Sequence, residues 1–126
     1  MKITHLYTGD DGQSHFRELE FTFSKTMEMA AAAEVAGVQG VQLREVSPNL
    51  QIDFHTAPRR QLVFQLAGRR EVACGNGDSR IFGPGDILLA DDRTGQGHTS
   101  REIEGPRRQM FIYIDEDIDV YDILRG

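Results

Sequence analysis

From Gly40 onward the chain is cut into short β-patterned runs, about eight to twelve residues apart, by clusters of glycine, proline, asparagine and aspartate. That rhythm constrains the fold more than any other feature, because runs spaced this way pair antiparallel into a sandwich or barrel. Residues 41–46 form one run, stopped by Ser47-Pro48-Asn49. Residues 50–55 form the next, and Pro58 then removes a ladder donor, which marks an edge or a bend. Residues 61–67 follow and turn at Gly68. Residues 70–74 and 79–82 flank Gly75-Asn76-Gly77-Asp78, whose glycines and asparagine can take the positive φ angles of a tight hairpin. Gly83-Pro84-Gly85-Asp86 turns into a buried run at 87–90, and after a polar loop at 91–97 the runs 98–103 and 107–114 close the sheet. Upstream, residues 2–7 read as a strand, and Leu19, Phe21 and Phe23 alternate with polar residues as in a half-buried one. Only residues 26–36, with Met, Glu and four consecutive alanines, predict a short helix capped by Gly37, or else an irregular crossover.

At 126 residues the expectation is one domain over 1–126, large enough to bury a core without staples. Cys74 is alone, so it cannot form an internal disulfide; it is expected to be structural and the compartment to be the reducing cytoplasm. The 14 basic and 20 acidic residues leave a formal charge of -6, which argues against nucleic acid and anionic lipid as partners. The N-terminal MKITHLYTGDDGQ lacks the apolar run of a secretory leader, and no apolar run approaches the ~18 residues of a spanning helix. Neither a Gly-x-Gly-x-x-Gly fingerprint, nor a phosphate loop, nor a Gly-x-Ser-x-Gly elbow occurs.

Residues 54–101 resemble the cupin superfamily of small antiparallel barrels, with a core of similarity at about 36–114. With Gly68 as the closing glycine of the first cupin motif, Gln61 stands at the glutamate position and His55 and Ala57 at the two histidine positions. The second motif aligns with Arg93-Thr94-Gly95-Gln96-Gly97-His98, with Arg93 in place of proline and Glu102 in place of asparagine. A subset of small single-domain cupins is more similar still, around His55-Thr56-Ala57-Pro58-Arg59-Arg60-Gln61 and around Asp92, Thr94, Gly95, Gly97 and His98. The resemblance implies an all-β, antiparallel double-stranded β-helix (a jelly-roll barrel) with at most one short helix, paired as a homodimer through edge strands.

It also implies a site in the barrel mouth. His55, Gln61 and His98 are the ligands that remain for a divalent metal, Fe, Mn, Ni or Zn, which would supply Lewis-acid or oxygen chemistry. Asp53, two residues before His55 and on the same side of an unbroken strand, is the candidate carboxylate ligand; Asp91, Asp92 and Glu102 rank below it. A metal-free alternative uses Arg60, Gln61, Gln65 and His98 as hydrogen-bonding groups for a small polar or anionic organic molecule. Gln61 and Gln65 share strand parity, and buried amides require a ligand, a water or a bonded neighbour. Arg59 is expected to be solvated or ion-paired, and His5 and His15 to lie at the surface or core edge. The functional expectation is a cupin-type small-molecule site, catalytic if metal-loaded; a non-catalytic binding or sensing module and a degenerate cupin retained for interactions stand beside it.

Overall fold

The computed structural model describes residues 1–23 and 25–125. The protein is all-β. The strands are β1 (Lys2–Thr8), β2 (Ser14–Glu20), β3 (Lys25–Thr26), β4 (Ala31–Ala32), β5 (Glu34–Val35), β6 (Val38–Glu45), β7 (Gln51–His55), β8 (Gln61–Cys74), β9 (Ser79–Phe82), β10 (Ile87–Asp91), β11 (His98–Ile114) and β12 (Leu124–Arg125). Among the described residues a single 3-10 turn, Val120–Asp122, interrupts the tail. Among the described residues no helix is long and apolar enough to cross a membrane.

The main sheet has eight strands in the order β2-β1-β10-β8-β11-β6, with β7 added on β11 and β9 on β8. Every junction is antiparallel except one: β1 runs parallel to β10, Thr4 opposite Leu88, so the sheet is mixed. The runs expected at 61–67 and 70–74 are one strand, as are those at 98–103 and 107–114. These two long strands pair along most of their length and bend together. Gly68 has φ +74°, and opposite it the β8/β11 register shifts between Glu102, Glu104 and Arg108, around Gly105-Pro106. Only glycine fits at Gly68, where an added Cβ would lie 2.6 Å from the Glu104 carbonyl oxygen. The bend divides the sheet into two limbs, one holding β2, β1, β10, β6 and the proximal half of β8, the other holding β9, β7 and its distal half.

Apolar side chains from both limbs meet between them. Leu6, Val63, Leu88, Ala90 and Phe111 come from one limb, and Val72, Cys74 and Phe82 from the other. The outer face of the first limb carries a second core of Ile3, Leu19, Leu62, Leu89 and Ile114. This layer is closed by Phe21 and by the tail, whose Ile123 is buried. The tail after Ile114, which carries Asp115, Glu116, Asp117 and Asp119, therefore docks on its own chain.

The helix expected at 26–36 does not form. Met27 and Ala30 close a tight turn between β3 and β4, and β5 pairs with β12, Val35 opposite Leu124. Eleven residues of favourable propensity are marginal as a helix, and pairing with the tail prevails. The hairpin at Gly75-Asn76-Gly77-Asp78 forms as expected: Asn76 Oδ1 accepts from the Asp78 amide at 2.9 Å, and Gly77 has φ +90°.

Candidate functional site

A cavity of about 370 Å³ opens between the limbs, lined from β6, β7, β8, β10 and β11. His55 ends β7 and His98 begins β11, and the two residues are direct cross-strand partners. Their ring centroids are 4.4 Å apart at an interplanar angle of 55°. Gly97, with φ +78°, brings the two strands this close, because a Cβ there would collide with the His55 carbonyl. His98 is buried and His55 half-buried.

Each ring is oriented through Nδ1. His98 Nδ1 donates to Asp92 Oδ2 at 2.6 Å, and His55 Nδ1 donates to the Asp53 carbonyl oxygen at 2.9 Å. Carboxylate and carbonyl oxygens accept, so Nδ1 carries the hydrogen in both rings and both Nε2 atoms are left for the cavity that the rings line. Asp92 is fully buried, accepts from Ser14 Oγ at 2.7 Å, and has no partner for Oδ1.

The structure brings together His55, His98 and Gln61, which all line the cavity, and leaves the other expected site residues elsewhere. Asp53 is exposed, and its Oδ1 accepts from the Phe54 amide at 2.8 Å, a local cap at the strand surface. Arg60 is buried outside the cavity. Its guanidinium donates to Asp91 and to the carbonyls of Asp115 and Ile118, clasping the tail to the sheet. Gln65 is also buried outside it. Its Nε2 donates to Ala67 O at 2.8 Å and its Oε1 accepts from Gln109 Nε2 at 3.0 Å, so the bonded neighbour that a buried amide requires is the bend itself. Arg59 stacks on Tyr113, with Cζ 4.1 Å from the ring centroid. His15 bonds Asp11 near the surface, whereas His5 is fully buried and bonds Asp91 Oδ2 at 2.9 Å.

The donor set does not fit a resident divalent metal. Among the described residues no three His, Cys, Asp or Glu side chains gather as ligands. Two imidazoles and a neutral amide would have to hold the cation in a cavity also lined by three arginines. Glu102 and Asp91, ranked as weaker ligands, bond Arg107 and Arg60 instead.

Sequence reasoning missed those arginines. Arg44, Arg70 and Arg107 line the cavity together with Ser100 and Gln109. For Arg70 the bend explains the omission: Gln61 and Val63 face inward with odd parity, and beyond Gly68 the inward positions are Arg70, Val72 and Cys74, with even parity. An isolated glycine inside a strand pattern was the available signal. The Arg70 Nε atom is buried and unpartnered. Burial, and then the charges of Arg107 and Arg44, push the Arg70 guanidinium down to about 10. Burial, and then the charges of Asp78 and Asp92, push the Cys74 thiol up to about 11, which suits its place in the core rather than a nucleophilic role.

No family model matches the chain, and no curated protein does. Among solved structures, it is similar to a structural-genomics protein of unknown function from Rhizobium leguminosarum bv. viciae 3841. The two are 19% identical over 78% of this chain and 97% of that one, with a TM-score of 0.52. A Neisseria meningitidis protein is 18% identical over 64% of this chain and 81% of that one, with a TM-score of 0.48. The likeness to the Rhizobium protein is one of fold.

Proposed function

We propose that the protein is a cupin-type barrel that binds a small anionic organic molecule in the cavity between its limbs, without a resident metal. One observation carries this reading: Arg70, a guanidinium with an unpartnered buried Nε, lines the same cavity as the paired His55 and His98. A desolvated cation beside other cations is costly alone and gains an electrostatic partner when an anion binds. The apolar wall of Val63, Leu88, Ala90 and Phe111 leaves room for a carbon skeleton, and the volume is that of a small-molecule pocket. Calorimetric titration with small organic anions tests it. Binding that weakens at least tenfold in Arg70→Met supports the reading, and no binding of any anion overturns it.

The Asp92–His98 pair favours a second reading, in which the site is also catalytic. A carboxylate behind Nδ1 and a free Nε2 form an arrangement suited to general acid and base work. Loss of turnover with retained ligand affinity in Asp92→Asn would identify it. Pairing of two copies of the chain belongs to the same proposal. It is supported by the unpaired edge of β6, where Val41 and Leu43 are exposed, and sedimentation of the purified protein checks it.

A further inference from the structure

The three arginines of the cavity differ in what already neutralises them. Arg107 is buried and donates from Nε to Glu102 Oε1 at 3.1 Å. Arg44 donates to the neutral Gln42 amide oxygen at 2.8 Å, and its Cζ lies 3.9 Å over the Phe111 ring. Arg70 has no hydrogen bond from Nε. Among the described residues neither Arg44 nor Arg70 has a carboxylate partner. Glu45, the one acidic side chain on the cavity wall, is exposed and lies 3.8 Å from Arg108. Neither charge is balanced by a carboxylate: Arg44 is exposed and shares its charge with solvent, whereas Arg70 Nε is buried without a partner in the same lining.

The rest of the polar wall is of another kind. It consists of the His55 and His98 rings, the Gln61 and Gln109 amides and the Ser47 and Ser100 hydroxyls, with no further guanidinium or ammonium group. A ligand matched to this wall carries its charge gathered in one group and hydroxyls elsewhere. A phosphate monoester concentrates nearly two negative charges in a single tetrahedral group with three free oxygens, which suits several guanidinium forks at once. A dicarboxylate distributes the same charge along its chain and would set its second carboxylate away from the guanidinium groups.

We propose that Arg44, Arg70 and Arg107 form a dianion subsite for the phosphate monoester of a small polyhydroxylated compound, with the hydroxyl-bearing end held by His55, His98, Gln61 and Ser100. This rests on the anion-binding reading above and narrows it.

The test is calorimetric titration of the full chain, in phosphate-free buffer, with ribose 5-phosphate, inorganic phosphate, ribose, succinate and acetate. Ribose 5-phosphate is expected to bind most tightly, inorganic phosphate more weakly, and ribose not measurably. Arg70→Met is expected to weaken ribose 5-phosphate at least tenfold without lowering the melting temperature of the free protein. Arg101→Ala, which removes an exposed arginine paired with Glu71 outside the cavity, is expected to leave affinity unchanged. If acetate binds as tightly as the phosphate ester and depends equally on Arg70, the dianion subsite is overturned while the anion-binding reading stands. Binding of succinate in preference to both phosphates also overturns it. Equal weakening by Arg101→Ala overturns it in favour of diffuse surface attraction, and silence from every anion overturns both readings.

Discussion

Two aspartates adjacent in sequence are assigned opposite tasks by the environment of single side chains. Asp91 faces His5, Arg60 and Arg93. Burial pushes its carboxyl up, but the hydrogen bonds from His5 and Arg60 and the charge of Arg60 outweigh burial and bring it down to about 2. A carboxyl held below its ordinary 3.8 contributes stability that is fully present above that value and is lost as pH falls towards 2. The contribution is roughly 2 kcal/mol, from about 1.4 kcal/mol per unit. Acid unfolding followed by circular dichroism is therefore expected to steepen between about pH 4 and 2, and Asp91→Asn to flatten that limb. Asp92 instead serves the cavity. Asp92→Ala strands the Ser14 hydroxyl and the His98 Nδ1–H in a buried place, and a loss of about 2–3 kcal/mol in urea unfolding is expected. Arg70→Met moves the other way. Removing a repelled cation is expected to raise the melting temperature of the free protein by a few degrees, corresponding to about 1 kcal/mol.

At the scale of elements, the strands were legible because alternation and turn residues report local preferences directly. The run 79–82 coincides with Ser79–Phe82, and the hairpin before it forms where the glycines and Asn76 stand. Two kinds of feature were not legible. The first is the sense of pairing between strands far apart in sequence: no residue of β1 specifies that it lies parallel to β10. The second is parity across a bend. His55 and Gln61 were identified by their spacing from Gly68, and His98 by the Gly95-Gln96-Gly97 that precedes it, whereas Arg70 and Arg107 lie just beyond the Gly68 bend and its partner at Gly105-Pro106. Guanidinium chemistry and strand parity pointed to Arg60 and Gln65 as further site residues, and both are occupied with holding the chain in place. Gly97 tests how much the site depends on one close approach of backbones. Gly97→Ala combines a positive φ with a collision at His55, so a loss of about 2–4 kcal/mol and weakened ligand binding are expected together in thermal unfolding and titration.

For the molecule as a whole, the tail is part of the fold. Ile123 fills the outer core, and Arg60 fastens the segment that leads to it. Ile123→Ala is expected to cost about 2–5 kcal/mol in chemical unfolding. Because the outer layer shares only the sheet with the cavity, the change should leave ligand affinity in the folded protein near that of the wild type. The paired bend in β8 and β11 has the opposite character. The distal limb supplies Arg70, Ser100 and His98 and the proximal limb supplies Gln61, Arg107 and Gln109, so a bound molecule acts as a splint across a shared elbow. Occupancy would then be felt as stiffness: amide protons flanking Gly68 and Gly105 would exchange more slowly with deuterated solvent when the gap is filled, even though neither glycine touches the guest.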